Sequence, residues 1–366
     1  MIVYYSVILL VLFLGVMAQF VNSRAVPIEK TSSDGTIRYK NHYGIFYPLL
    51  FFIFVFVGGF RYYVGTDYGW YYKHYVFEWD EITEAFKAFD EPGLKLLSYI
   101  ARNIWEDGVA VIFLACLITT ILVFYGISKF DNNDITVMLL LYILFAGWTF
   151  AFNGVRQGIA AAIIFGFARV SKNKWIFKYV LICFIAFLFH KSALMMIPVF
   201  LLSHRRFDKK QLAFLIIAAV VVPLFFDFAF DFMGADTTDV DALEYIERGI
   251  NPIRVAVAFA PAILLFFVDD RYDFFEKNGF AINMMMFNAI LTLTTMNSAY
   301  LHRFTEYTSM FLMVYYPAVF KAISKNLRPF IILIVLVLYF FYFRYELTNG
   351  VEEVIWQWSF SHFGEA

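Results

Sequence analysis

Long runs of apolar residues alternate with short polar segments along almost the whole chain. Because the hydrocarbon core of a bilayer takes about 20 apolar residues of helix, each long run predicts a transmembrane helix. The pattern predicts an all-α polytopic membrane protein with about twelve spans, two of them short. The runs are Ile2–Val21, Gly44–Phe60, Val109–Ile127, Ile135–Phe152, Gly154–Val170, Trp175–Phe189, Ser192–Leu202, Gln211–Phe230, Ile253–Val268, Phe280–Met296, Phe304–Phe320 and Pro329–Phe343.

The composition agrees with this pattern. Hydrophobic residues make up 61% of the 366 residues and charged residues 16%, whereas soluble domains have about 45–50% and about 25%. The net charge of −1 gives no long-range attraction to a polyanion, so no nucleic-acid partner is expected. The lipid bilayer is the expected surrounding of the chain.

The loop charges predict how the chain crosses the membrane. Lysine and arginine collect in loops after odd-numbered runs, and such loops face the cytoplasm in membrane proteins. The loops Arg61–Gly93 and Asp231–Asn251 follow even-numbered runs and are acidic. Both termini and both acidic loops are therefore expected outside the cytoplasm. The predicted organisation is a single transmembrane domain at 1–345, with extracytoplasmic loops at 61–107 and 231–252 and an extracytoplasmic interfacial tail at 346–366.

The two short runs, Trp175–Phe189 and Ser192–Leu202, call for a different geometry. A single merged span would place the basic loops on either side of it at opposite membrane faces, against the positive-inside rule. The sequence therefore predicts a short re-entrant-like hairpin with His190 near its tip. Leu94–Trp105 is predicted as an amphipathic helix at the outer interface.

Four ionisable residues lie at predicted outer ends of spans, namely Arg61, Arg156, His190 and Arg303. One interpretation is that they extend to lipid headgroups or pair with acidic loop residues. The other is an anionic ligand, since arginine is disfavoured in short outer loops and guanidinium groups bind phosphate oxygens bidentately. Both interpretations stay open from the residues alone.

An aromatic, glycine-rich segment follows Arg61 and carries Asp67 between Thr66 and Tyr68, with Tyr71 close behind. A carboxylate among aromatic rings can hold a sugar, because the rings stack on its C–H face and the carboxylate accepts its hydroxyls. The alternative is an interfacial aromatic belt with an aspartate in a turn.

Asn153, Arg156, Gln157 and Ala160 have the i, i+3, i+4 and i+7 spacing of one helical face. The small residues around them allow close helix packing, either around a polar cavity or as an interhelical clamp.

His190 could be a general base, a donor to phosphate or a histidine satisfied between helices. Arg303 and Tyr307 share a face at i and i+4, with Glu306 near enough to neutralise the arginine.

Soluble-enzyme and metal-binding signatures are absent from the sequence, including the phosphate-binding loop, Gly-x-Gly-x-x-Gly, His-Glu-x-x-His and Gly-x-Ser-x-Gly. No cofactor and no metal are therefore expected, and an already activated substrate fits better. Cys116 and Cys183 lie within apolar runs and are expected to be buried structural residues.

Together these residues resemble the EpsG family of Wzy-type polysaccharide polymerases. The resemblance covers about residues 44–320, with the motifs in the family's order. The motifs are Arg61-x-x-x-Gly65-Thr66-Asp67-Tyr68-x-x-Tyr71, Glu91-Pro92-Gly93 followed by Leu96-Leu97, Asn153-x-x-Arg156-Gln157-x-x-Ala160, His190-x-Ser192 and Arg303-x-x-x-Tyr307.

The resemblance implies a membrane glycosyltransferase at the outer face of the bacterial cytoplasmic (inner) membrane. Its substrates would be oligosaccharide repeat units on undecaprenyl pyrophosphate, in exopolysaccharide, capsule or O-antigen synthesis. A growing glycan would move from its carrier to the non-reducing end of the next lipid-linked unit. A flippase and a chain-length regulator of the same pathway are candidate partners. A lipid-linked oligosaccharide flippase and an O-antigen ligase-type transferase are the alternative functions.

Site roles follow from this reaction as hypotheses. Arg156 and Arg303 would hold the departing pyrophosphate with help from Arg61, because the leaving group needs charge stabilisation. Asp67 would orient or deprotonate the acceptor hydroxyl, with His190 as the competing base. The expected substrate-binding residues are Arg61, Thr66, Tyr68, Tyr71, Asn153, Gln157 and Tyr307.

Overall fold

The protein folds as a bundle of α-helices with two short β-ladders. The structure is a computed structural model and describes residues 1–23, 30–31, 37–38, 44–130, 134–169, 175–205, 207–225, 247–349 and 356–361. Helices dominate these residues, so the all-α prediction is confirmed.

The described helices are numbered here in chain order. They are α1 Ile2–Ser23, α2 Phe46–Gly59, α3 Tyr68–Lys73, α4 Trp79–Ala88, α5 Pro92–Ile104, α6 Gly108–Lys129, α7 Ile135–Leu144, α8 Gly147–Asn153, α9 Val155–Phe167, α10 Trp175–Phe187, α11 Met196–Ser203, α12 Lys209–Val221, α13 Pro252–Ile263, α14 Arg271–Thr294, α15 Ala299–His302, α16 Thr305–Ser309, α17 Leu312–Ala322 and α18 Arg328–Asn349. The 3₁₀ helices are Lys191–Met195, Val222–Phe225, Leu264–Phe267 and Ser359–Ser361. The strands are β1 Lys30–Thr31, β2 Ile37–Arg38, β3 Arg61–Tyr62 and β4 Gln357–Trp358.

Three of the described helices, α1, α6 and α18, are long and apolar enough to cross a bilayer. Helices α7 and α8 make a fourth candidate span, bent by 46° between them. Several other apolar helices are shorter, α2, α9 and α13 among them. The count of twelve spans and the side of the termini therefore stay predictions.

The outer helices expose the apolar side chains that a lipid environment requires. Leu9 and Phe13 on α1 are 65% and 61% exposed, and Leu338 and Phe341 on α18 are 62% and 61% exposed. Water would oppose so large an apolar surface, whereas lipid tails are as apolar as these side chains. The chain is a membrane protein.

Two predicted spans are interrupted. Ile135–Phe152 divides at Ala146, whose φ of 68° is left-handed and cannot continue a helix. Phe304–Phe320 divides between α16 and α17. Hydroxyls there donate to carbonyls three residues earlier and compete with regular helix bonding. These donors are Thr305 to His302, Thr308 to Thr305, and Ser309 to Glu306.

Helix ends that are distant in the sequence contact one another. Arg254 at the start of α13 pairs with Glu346 near the end of α18. Arg169 donates to the carbonyl of Lys129, and Asn283 donates to that of Arg205 at 2.8 Å. The side of the membrane that each end faces stays a prediction.

The C-terminal segment packs across the end of α2. Strand β4 pairs antiparallel with β3, and the Ser359 N–H donates to the carbonyl of Phe60 at 2.9 Å. The predicted tail began at Glu346, but α18 continues to Asn349, so its first four residues are helical. The acidic loop 231–252 lies mostly outside the described residues, which resume at Glu247.

Candidate functional site

Helices α10 and α11 form a helical hairpin. Its tip lies among Glu91, Arg156, His190, Lys191 and Tyr307, which together are called the polar cluster below. Helices α10 and α11 run back along each other, with the rings of Tyr179 and Phe200 stacked at 4.3 Å. The Tyr179 hydroxyl also lies 3.0 Å from Nε2 of His204 at the far end of α11. Helix α10 ends at Phe187. The segment that connects it to α11 carries His190 and Lys191.

The turn between α4 and α5 docks onto this tip. The Gly93 N–H donates to the carbonyl of Leu188 at 2.7 Å. A Cβ on Gly93 would lie 2.8 Å from that carbonyl oxygen, closer than real Cβ contacts allow. A glycine is therefore required for the two segments to meet. The predicted helix Leu94–Trp105 is confirmed as α5, and it buries Leu94 and Leu97.

Arg156 reaches the same place from the start of α9. Its Nη1 lies 2.5 Å from Oε2 of Glu91, and the other carboxylate oxygen of Glu91 accepts the Lys191 N–H at 2.8 Å. The ammonium of Lys191 lies 3.0 Å from Oδ1 of Asp90. The side chain of Arg156 is still 40% exposed, so a ligand can reach it.

A chain of hydroxyl groups connects His190 to α16. Oγ of Ser192 lies 2.7 Å from Nδ1 of His190 and 2.8 Å from the Tyr307 hydroxyl. Gln157 donates to the carbonyl of Arg303 at 2.7 Å, which ties α9 to the same segment. His190, Gln157, Arg303 and Tyr307 are thus brought together with Arg156, as a shared site requires.

His190 is held in its neutral form. Burial lowers its pKa from 6.5 to about 3, and the positive charges of Arg156 and Arg303 add to the effect. The Ser192 backbone N–H donates to Nδ1 at 3.3 Å, so Nδ1 acts as an acceptor. A neutral imidazole whose Nδ1 accepts carries its proton on Nε2. His190 can therefore donate a hydrogen bond through Nε2. Its other nitrogen, Nδ1, is the one that could take up a proton, and it is already in contact with Ser192.

Arg61 is placed differently from the other predicted cations. It is 1% exposed, and its guanidinium donates to the carbonyls of Gly58, of Val64 at 3.2 Å and of Phe152 at 3.4 Å. The ring of Phe152 lies beneath it at 4.4 Å. These contacts favour a structural role, in which Arg61 fixes the turn after α2 against the end of α8.

The Asp67 segment docks on the junction of α8 and α9. The Thr66 N–H donates to Oδ1 of Asn153 at 2.8 Å, and the Thr66 hydroxyl lies 3.1 Å from Oδ1 of Asp67. Gly65 has a φ of 112°, and a Cβ there would meet Asn153 and Phe152 at 2.8 Å. Asp67 is half-buried at the start of α3.

One sequence prediction about this junction is wrong. Asn153 ends α8, and the chain breaks at Gly154 before α9 starts at Val155. Asn153 therefore does not continue the helical face of Arg156 and Gln157. It contributes instead by accepting the Thr66 N–H from the loop.

The aromatic residues of α3 divide between the core and the site. Tyr68 is fully buried under Arg61, whereas the Tyr71 hydroxyl lies against the Arg156 guanidinium. Trp70 is 48% exposed, with its ring centre 5.9 Å from Cζ of Arg156. One face of the Trp70 ring stacks on His74, with ring centres 5.1 Å apart, and the rest of the ring stays accessible beside Asp67.

A second ionic group was missed by the sequence analysis. Arg254 binds Glu346 through Nε at 2.9 Å and through Nη2, in a bidentate pair. Glu306 lies within electrostatic reach of this pair and of Arg303. The signal was available, because Arg254 opens a predicted span at its outer end just as Arg303 does. Glu91 belongs to one of the motifs that carry the family resemblance. The sequence did not predict its ion pair with Arg156, which lies 65 residues away.

Replacing Gly93 with alanine is expected to separate the turn from the hairpin tip. The added methyl group would meet backbone at 2.8 Å, and backbone cannot move aside as a flexible side chain can. We expect a destabilisation of about 1–3 kcal/mol and a matching loss of activity. Thermal unfolding in detergent measures the first quantity. Gly69→Ala is the control, because its Cβ would meet only the Tyr63 ring at 3.3 Å; an equal effect of both variants would contradict the prediction.

Among the described residues, no group of three or more His, Cys, Asp or Glu side chains could hold a metal ion. Cys183 is buried and Cys116 nearly so, and both are free thiols.

Comparisons with known proteins add one finding. The sequence profile of the EpsG family matches residues 44–357, which is most of the chain. Neither a search of curated proteins nor a search of solved structures gave a match. The matched range includes every residue of the polar cluster around Arg156, and Arg254 and Glu346 as well.

Proposed function

Since the chain belongs to the EpsG family, a family of Wzy-like polymerases, we propose that it polymerises polysaccharide from lipid-linked repeat units. The growing glycan leaves undecaprenyl pyrophosphate and joins the non-reducing end of the next lipid-linked unit. The family suggests a polymerase-type function. We propose in addition the lipid carrier and the direction of transfer. The observation that carries it is the half-exposed Arg156 among the charged residues at the hairpin tip.

The reaction exchanges one bond to the anomeric carbon for another. The acceptor hydroxyl forms the new C–O bond and gives up its proton, for which Asp67 is the proposed acceptor. The bond to the pyrophosphate oxygen breaks, and its electron pair leaves with the lipid pyrophosphate. Negative charge grows on that leaving group, so positive charge beside it lowers the barrier. Arg156 supplies this charge, and its Nε–H is a buried donor without a partner among the described residues. A bound anion would satisfy such a donor.

Arg303 and His190 support the same leaving group. His190 lies within the electrostatic reach of both Arg303 and Arg156. The neutral His190 donates from Nε2, which suits a phosphate oxygen better than it suits a proton to be removed. Of the three roles that the sequence leaves open for His190, the donor to phosphate is therefore favoured over the general base.

Asp67 orients or deprotonates the acceptor hydroxyl in this proposal. Its charge acts on both Arg156 and Tyr71, so it faces the cluster. Trp70 beside it provides the face on which a sugar ring can stack. Arg61 and Tyr68 are buried and keep the loop in place, so they act as positioning residues.

The site would face the extracytoplasmic side of a bacterial cytoplasmic membrane. Support comes from the acidic loops and from the clustering of predicted outer ends around Arg156. Substrate would arrive from a flippase, and a chain-length regulator would limit the product. The enzyme would need no nucleotide, because the pyrophosphate link already activates the sugar.

The direct test uses purified protein in nanodiscs with lipid-linked repeat units. A ladder of products, each longer by one repeat unit, supports the proposal. Transfer of one glycan to a different lipid, with no ladder, indicates a ligase. Movement of intact lipid-linked units across a vesicle membrane, with no new glycosidic bond, indicates a flippase. Either of the last two results would contradict the polymerase assignment.

The pKa of His190 gives a further expected result. With a pKa of about 3, the ring stays neutral throughout pH 5–8, whereas an ordinary histidine would gain its proton below about 6.5. Ladder formation by wild type and by His190→Gln should therefore show the same acidic limb, with His190→Gln slower by about tenfold from a weaker donor. Rates measured from pH 5 to pH 8 check this. An acidic limb near pH 6.5 that disappears in His190→Gln would contradict it.

A further inference from the structure

Two adjacent carboxylates, of Asp90 and Glu91, bind the cations Arg156 and Lys191 at the hairpin tip. Glu91 divides its oxygens between Nη1 of Arg156 at 2.5 Å and the backbone N–H of Lys191 at 2.8 Å. Asp90 binds the Lys191 ammonium at 3.0 Å. The contact holds the pKa of Asp90 below its usual range, so Asp90 is charged at neutral pH. The turn thus places two negative groups, one residue apart, on one cationic surface.

A pyrophosphate also presents two adjacent anionic groups. Its phosphoryl oxygens accept from guanidinium, ammonium and backbone N–H donors in the same way as carboxylate oxygens do. We propose that Arg156 and Lys191 form the pyrophosphate site of this protein, and that Asp90 and Glu91 occupy it until a lipid pyrophosphate displaces them. This inference rests on the proposed function for its ligand, and it adds Lys191 as a second phosphate-binding residue.

The geometry of the turn favours release of its carboxylates. Glu91 has a φ of 46° and Phe89 a φ of 53°, which is the left-handed region that residues with a side chain rarely adopt. Asp90, between them, is 58% exposed; its carboxylate contacts Lys191, and its N–H donates to the carbonyl of Ala85 at 2.9 Å. The cost of the left-handed conformation at Glu91 offsets part of the free energy of its ion pair, which favours displacement of its carboxylate by a stronger anion.

The backbone of the turn is docked on the hairpin at both of its ends. Gly93 donates to Leu188 at 2.7 Å, and the ring of Phe89 contacts the rings of Phe184 and Phe187. The carboxylate side chains of Asp90 and Glu91 can therefore rotate away while the turn stays in place, and this rotation exposes Arg156 and Lys191 together. Premature exposure of two cations at the membrane surface is avoided, because the carboxylates neutralise them in the absence of substrate.

Binding of inorganic pyrophosphate to the full chain in nanodiscs tests the inference without requiring turnover. The dissociation constant is measured by calorimetry at fixed ionic strength. Glu91→Gln and Asp90→Asn should each bind pyrophosphate about three- to tenfold more tightly, since each removes a competing charge. Lys191→Met should bind about tenfold more weakly. Glu91→Gln keeps the side-chain shape, and Asp90→Asn changes an exposed residue, so both variants should fold.

The ion pair between Glu84 and Lys87 is the matched control. It lies on the exposed face of the neighbouring helix at 3.6 Å, and both side chains are more than 70% exposed. Glu84→Gln and Lys87→Met should leave pyrophosphate affinity unchanged. Equal affinities for wild type, Glu91→Gln, Asp90→Asn and Lys191→Met would overturn the inference. So would equal shifts in the control variants, because these would indicate only a general effect of surface charge.

The proposed function can fail separately from this inference. If the affinities shift as expected but wild type forms no ladder from lipid-linked units, the site binds pyrophosphate and the polymerase proposal is wrong. If wild type forms the ladder and the affinities do not shift, the polymerase proposal stands and the Asp90–Glu91 turn has no such role. In the supported case, Glu91→Gln also lowers the KM for the lipid-linked donor.

Discussion

Replacing Arg156 with alanine is expected to slow ladder formation by about 10²–10³-fold in normally inserted protein. At the hairpin tip this guanidinium is more exposed than the ammonium of Lys191, 40% against 26%, and it faces Glu91, Tyr71 and Trp70 at once. Its loss would remove the positive charge that the leaving pyrophosphate needs. The rate is measured as the formation of the first elongated product from lipid-linked units.

Two further variants make this result specific. Arg156→Lys keeps the charge but loses the planar fork, so we expect a smaller loss, of about tenfold. Arg102→Ala is the control on the same side of the bundle, because Arg102 forms only a loose pair with Glu78 at 3.5 Å. Full activity of Arg156→Ala, with normal insertion and unfolding temperature, would contradict the pyrophosphate role. A comparable loss in Arg102→Ala would show that the effect is not local.

The location of the site could be predicted from the sequence, but its contacts could not. The positive-inside rule placed Arg156, His190 and Arg303 at one end of the bundle, and the structure brings them together. The same rule treated Arg61 as an equal member, although its guanidinium is consumed by three backbone carbonyls. Periodicity gives the direction of a side chain, but it does not say which backbone groups surround it.

Pairing across distant segments is the second limit. Glu91 meets Arg156 because the α4–α5 turn docks on the hairpin through Gly93 and Leu188. That docking depends on the close approach of two backbones, which no local pattern reports. The predicted helices were too long for a related reason. Gly154 and Ala146 interrupt segments that are apolar throughout, so hydropathy alone predicted longer helices there.

The two ionic groups at the outer end are physically continuous. The backbone carbonyl of Arg303 accepts a hydrogen bond from Gln157. The charge of the Arg303 side chain acts on His190 in the first group and on Glu306 in the second. Tyr307, next to Glu306 on α16, holds Ser192 beneath the hairpin. A change at the Arg254–Glu346 pair can therefore alter the support of Arg303 without touching the hairpin. This makes the pair a suitable place to separate stability from catalysis.

Replacing Arg254 with methionine is expected to destabilise the protein by about 2–3 kcal/mol. A buried ion pair that loses one partner costs about 3–5 kcal/mol, and the 32% exposure of Arg254 reduces this figure. The remaining carboxylate of Glu346, which is 12% exposed, would lose both hydrogen bonds from Arg254 and keep a charge without a cation. The shift in unfolding temperature in detergent micelles measures the effect.

The double variant Arg254→Met/Glu346→Met decides whether the missing partner is the cause. It removes both charges and leaves none uncompensated, so it should unfold at a higher temperature than Arg254→Met alone. Asp273→Asn serves as the control, because its pair with Lys277 at 2.8 Å lies on the exposed surface and should leave the unfolding temperature unchanged. If the double variant is no more stable than Arg254→Met, the loss comes from packing of the arginine stem. Glu346 would then have no need of a cation, and the coupling of this group to Arg303 would rest on packing as well.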